Sequence, residues 1–199
     1  MRAWTTRELV TVAVFGALWG VAEMTLGAVL HALMLPFTGL VMSAVGLLIA
    51  LTGYHFVPRR GAVFSIALVS ALLKAFSLGS VVLPPMLAIL AEALLAEFGL
   101  ALAGGRPTRG PLALAGALGV LWAFAHPFVG QGLLAGHNMV TIYRRTLEAG
   151  ARLLHLDAGA IPAILVGLLV LHAVVGVVAG LLAASLGRQL ARRLRSGEA

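Results

Sequence analysis

An all-α membrane protein, folded as a six-transmembrane-helix bundle, is the fold class this sequence predicts. Three observations predict it. The first is composition: 61% of the 199 residues are hydrophobic, 11% are charged, and the mean hydropathy is +1.04. A soluble domain of this size has no way to hide so much apolar surface, whereas lipid solvates it. The second is length: the apolar residues fall into six stretches, and spans of roughly 20 residues with short connectors fill the chain. The third is charge. Connectors carrying Arg2/Arg7, Arg59/Arg60, Arg106/Arg109 and Arg188/Arg192/Arg193/Arg195 alternate with connectors around Leu35-Pro36 and Leu83-Pro84-Pro85 that carry no positive charge.

Span 1 is expected from Glu8 to Met34, stopped by Pro36. Span 2 follows from Thr38 to Phe56 and closes at Pro58-Arg59-Arg60. Span 3 covers Gly61 to Leu78, ending at Gly79-Ser80. Span 4 runs from Pro85, a residue suited to a helix start, to Ala103, before Gly104-Gly105-Arg106-Pro107. Span 5 is Pro111 to Gly130, and span 6 is Ile161 to Arg188, opened by Pro162. The positive-inside rule puts both termini and the arginine-bearing connectors in the cytoplasm. The expectation is one integral membrane domain, residues 1–199, multi-pass in the cell (inner or plasma) membrane. Glu8 and the long apolar run behind it argue against a cleaved signal peptide.

The connector between spans 5 and 6, Gly130 to Gly159, is unusually long. Met139, Val140, Tyr143, Leu147, Ala151 and Leu154 recur at helical spacing, and Arg144/Glu148 and Glu148/Arg152 are i,i+4 pairs. It reads as a long amphipathic extracellular loop with a helix on the outer surface, either a spacer or a lid over a pocket.

The net charge of +7 reads as cytoplasmic anchoring, with contact to anionic lipid. No basic helix face or aromatic platform accompanies it, so nucleic acid is not an expected partner. The absence of cysteine excludes disulfides, thiolate metal sites and cysteine nucleophiles. No His/His pair at i,i+4, HExxH pattern, GxSxG or Walker A motif is present, so neither a metal nor a cofactor is expected.

Ionisable side chains near the bilayer centre cost roughly 2.5–3.5 kcal/mol each, so every one needs a reason. They are Glu23, Lys74, Glu92, Glu97, His126 and His172. At about 1.5 Å per residue, Glu23, Lys74 and His126 lie roughly 19–22 Å up from the inner side, and Glu92 roughly 10 Å down from the outer side. Four spans thus bring polar groups to one layer in the outer half. Trp19 and Trp122 sit one turn from Glu23 and His126 on the same faces, where a flat cationic ring would stack and form hydrogen bonds. His31, Gln131, His137 and Asn138 lie nearer the outer mouth. The substrate-binding candidates are therefore Trp19, Glu23, Lys74, Glu92, Trp122, His126, His31 and Asn138. Each also has a plainer role: Glu23 and Lys74 as a structural ion pair, His126 on a carbonyl freed by Pro127, the tryptophans as packing residues. Glu97 reads as structural and His172 as a satisfied core histidine. Ala13, Ala17, Gly20, Met24 and Gly27 form a second, small-residue face on span 1, with Gly16 beside it, that lets another helix approach closely.

Six spans, an Ala13-x-x-x-Ala17 motif, the run Val14-Phe15-Gly16-Ala17-Leu18-Trp19-Gly20, and Leu35-Pro36-Phe37-Thr38 together resemble the substrate-binding S component of energy-coupling factor (ECF) vitamin transporters. That resemblance implies a non-enzymatic subunit that captures a vitamin or precursor outside. It would then dock on a transmembrane coupling protein driven by two ATPase subunits, through Ala13, Ala17 and Gly20. Acidic groups with Trp and His suit thiamin or its pyrimidine precursor, and a cobalamin-like molecule stays open. Two other classes compete: an integral membrane enzyme acting on a lipid or quinone, with Glu23, Glu92 and His126 as acid/base groups, and a structural or assembly protein.

Overall fold

Residues 3–33, 35, 37–76, 83–128 and 161–197 are described by the computed structural model, and among them every regular element is a helix. These are α1 (Thr6–Ala32), α2 (Thr38–Phe56), α3 (Ala62–Lys74), α4 (Leu83–Leu102), α5 (Arg109–Phe128) and α6 (Ile161–Ser196). Four of them, α1, α2, α4 and α6, are long and apolar enough to cross a membrane. Helix α3 is apolar but has 13 residues. Its length of about 20 Å is short of a hydrocarbon core of roughly 30 Å. Large apolar side chains stand exposed on the outside of the bundle, among them Val14, Leu18 and Val21 on α1, Leu87, Leu94 and Phe98 on α4, and Val166, Val170, Val174 and Val178 on α6. Lipid solvates such a surface and water does not; it is the exterior of an α-helical membrane protein.

The helix ends follow from local chemistry. Helix α1 starts ahead of the expected Glu8 because Thr5 and Glu8 form a capping box. The Thr5 N–H donates to Glu8 Oε2 at 2.8 Å, and the Glu8 N–H to Thr5 Oγ1 at 3.3 Å. Helix α2 has the expected bounds, Thr38–Phe56. Helix α4 begins before Pro84 and Pro85, which fall in the first turn where no N–H is needed. Span 6 was expected to end at Arg188, but α6 continues to Ser196. Nothing breaks it there: Gln189, Leu190, Ala191, Arg192 and Arg193 favour helix, and the stop comes at Gly197, with φ 71°. The long connector, Gly130 to Gly159, lies outside the described residues.

The helices form a closed ring of neighbours, α1–α3–α4–α5–α6–α2, and α2 also reaches α3, α4 and α5. It is the central rod, and small residues let it be one. Gly46 receives the indole of Trp19, and Gly53 receives Phe15 and Ile66. The tightest approach is between α5 and α6. A Cβ on Gly116 or Gly176 would strike the other's backbone carbonyl, and one on Gly180 would strike the Leu112 carbonyl. The Gly176-x-x-x-Gly180 spacing on α6 thus serves packing within the chain.

Three contacts gather the arginine-bearing turns at one end of the bundle. Arg59 Nη1 lies 3.4 Å from Glu8 Oε2 at the start of α1, with its guanidinium 4.1 Å from the centre of the Trp4 ring. The Tyr54 hydroxyl donates to the Gly105 carbonyl in the α4–α5 turn at 2.7 Å. The His55 ring packs where a Gly187 Cβ would be, beside Arg188. The start of α1, the α2–α3 and α4–α5 turns and the late part of α6 therefore share one end.

Replacing Gly180 by Val should push α6 off α5 and destabilise the bundle by about 2 kcal/mol or more. Gly167, which has open space around it, should accept Ala with no loss. Thermal unfolding of the two variants in detergent tests this; equal behaviour would refute the packing account.

Candidate functional site

Two buried carboxyls define the site, and four helices build it. Glu23 on α1 and Glu92 on α4 are 9% and 7% exposed, low enough that each needs a partner inside the protein. Lys74, the last residue of α3, supplies the partner for Glu23. Its Nζ lies 3.6 Å from Glu23 Oε2 and donates to the Glu23 backbone carbonyl at 3.1 Å. Because α3 stops there, the ammonium is carried to its place at a helix C-terminus, where positive charge is favoured. Glu92 is met from the central helix: Ser43 Oγ donates a hydrogen bond to Glu92 Oε1. Glu23 lies within coulombic range of Glu92, so the two contacts belong to one cluster.

The cluster's charge does not balance internally. Among the described residues it holds two carboxyls against one ammonium, and Ser43 is neutral. Coulomb interaction is strong in such surroundings, so the surplus negative charge calls for a proton or a bound cation.

The other candidates stand at varying distances from this cluster. Trp19 is fully buried over Gly46 and is a packing residue on α1 rather than an open face. Trp122 and His126 on α5 meet edge to face, with ring centroids 6.3 Å apart. Among the described residues the Trp122 Nε1–H, although buried, finds no acceptor. No described contact joins His126 to Glu23, Lys74 or Glu92. His31 belongs to α1, but its side chain is outside the described residues, as are Gln131, His137 and Asn138 altogether. His172 is a satisfied core histidine: its Nδ1 donates to the Leu168 carbonyl at 2.7 Å, and its ring lies 5.7 Å from Phe124. No group of His, Asp or Glu able to hold a metal occurs among the described residues.

Two residues acquire roles that sequence reasoning did not assign. Ser43 was not singled out, although a lone serine in an apolar span facing a carboxylate-bearing span is a readable signal. Glu97, which reads as structural from the sequence, takes a specific structural role: it accepts from the Val63 N–H at 2.8 Å and the Phe64 N–H at 3.4 Å, capping the start of α3 from α4. The turn needs this because Gly61, at φ 84°, offers no side-chain cap. The small-residue face of α1 is divided. Gly16 and Gly20 pack on Val69 and Leu73 of α3, so Gly20 is occupied within the chain. Ala13 is exposed and Ala17 half-buried.

No family model matches this chain, and no curated protein or solved structure matches it significantly.

Changing Lys74 to Met should leave Glu23 buried without its counter-charge and cost about 3 kcal/mol. Adding Glu23→Gln should restore much of the loss. A double-mutant cycle by thermal unfolding measures the coupling, and simple additivity would show that the pair contributes nothing.

Proposed function

We propose that this protein is the substrate-binding subunit of an ECF-type, ATP-driven importer, taking up a cationic aromatic vitamin or precursor such as thiamin or its pyrimidine. The observation that carries the reading is the uncompensated carboxyl in a buried polar cluster. A positively charged ring entering beside Glu92 would neutralise it, and the N–H of Trp122, without an acceptor among the described residues, offers a donor to an acceptor on such a ring. The cluster's place supports the reading as well. The three end contacts put the arginine-rich turns at the opposite end from the end of α3, where Lys74 sits. By the positive-inside rule the cluster then lies toward the outer side of a multi-pass bundle in the cell membrane.

Nothing in the chain resembles an ATP site, so hydrolysis would belong to two ATPase partners reached through a coupling subunit. Ala13, exposed, and Ala17, half-buried, are the docking positions in this proposal. The bilayer is the third partner.

Thermal melting of the purified protein against a panel of water-soluble vitamins tests the proposal directly. A ligand at 100 times its Kd should stabilise by about 2.7 kcal/mol. Glu92→Ala should remove that shift, and His126→Ala tests whether the α5 pair takes part. No shift with any cationic vitamin would reject the assignment.

Replacing Ala13 or Ala17 by Leu should leave ligand binding intact and abolish uptake into cells co-expressing the energising subunits. Unimpaired uptake would place docking elsewhere.

A further inference from the structure

At the arginine-rich end, α5 and α6 border an open cleft of about 310 Å³ lined by Arg109, Ser185, Arg188, Gln189 and Arg192. Four of these lie on α6 at i, i+3, i+4 and i+7, which is one face of the helix. Arg109, the first residue of α5, closes the cleft from the other side. Arg188 Nη2 donates to Ser185 Oγ at 3.5 Å, which holds its guanidinium toward the cleft.

The cleft has three guanidiniums and no carboxylate. Every acidic side chain among the described residues is engaged elsewhere: Glu8 with Arg59, Glu23 with Lys74, Glu92 with Ser43, and Glu97 with the start of α3. Positive charge gathered without a described counter-ion, with a hydroxyl and an amide between the guanidiniums, is the donor set that oxyanions take. The adjoining face of α6 carries Val174, Val178, Leu182 and Leu186, all exposed and four residues apart. This row continues the apolar exterior of the helix up to the edge of the cleft. A free anion would have no use for that row, whereas an acyl chain would lie along it.

We propose that this cleft binds the headgroup phosphate of an anionic phospholipid, with the acyl chains along the apolar row of α6 that leads up to it. The extension of α6 past Arg188 is what builds the site, since Gln189 and Arg192 belong to it. The proposal rests on the reading that these helices cross a membrane and is independent of which solute the protein carries.

The test is thermal melting of the full chain in neutral detergent with added phosphatidylglycerol, phosphatidylcholine or inorganic phosphate. Phosphatidylglycerol should raise the Tm, and the other two should not. R188Q/R192Q should abolish the shift, whereas R106Q, outside the cleft, should keep it. R188K/R192K, which keeps the charge but loses the planar fork, should weaken the apparent affinity about tenfold. An equal response to phosphatidylcholine, or a full response to phosphate alone, would overturn the lipid assignment. So would an undiminished response in R188K/R192K, which decides the matter should R188Q/R192Q fail to fold. None of these readings involves a vitamin, so this result and the test of the transported solute stand apart.

Discussion

Placing a charge in an apolar medium costs several kcal/mol unless another charge or a set of hydrogen bonds meets it. That cost governs both ends of this molecule. At one end it draws the arginine-bearing turns together. There Arg59 binds Glu8 and stacks on Trp4, and Tyr54 ties α2 to the α4–α5 turn. Toward the other end it forces the few carboxyls within the bundle to be met from neighbouring helices, Glu23 by Lys74 and Glu92 by Ser43. What the bundle leaves unbalanced there is the chemical basis of the proposed cation site.

Such meetings need helices that approach closely, and glycine makes the approach. Gly46 lets Trp19 sink into the central helix, which holds α1 against α2 and sets the level at which Glu23 faces inward. Gly116, Gly176 and Gly180 let α5 and α6 touch backbone to backbone. In lipid, where apolar association has little driving force of its own, contact area gained this way is a main source of adhesion. The same closeness shapes the arginine cleft, because its two walls are the ends of these two helices.

The short third helix joins the two ends. Its N-terminus is capped by Glu97 from α4, and its C-terminus delivers Lys74 to Glu23 on α1. A shift of α3 along its axis would break both, so the polar cluster and the cap hold one another in register. This is a tertiary use of helix-end chemistry, in which neighbouring helices supply the partners that α3's own flanking residues lack.

Much of the axial organisation was legible in the sequence. Proline and arginine act locally: they stop helices and fix which end meets water, and α2 from Thr38 to Phe56 could be bounded by reading alone. Counting residues also put Glu23 and Lys74 at one height. Rotation and lateral contact were decided only by the tertiary structure. Trp19, expected on a pocket wall, is packed on Gly46; Gly20, expected on an outer face, is taken by Leu73; Ser43 and Glu97 found partners on other helices. With 24 glycines and an alanine-rich background, small-residue spacing fits many interhelical pairings equally well. Position along a span depends on single residues meeting the solvent boundary, but position around it depends on which of those pairings wins, and that is settled only when all the helices pack together.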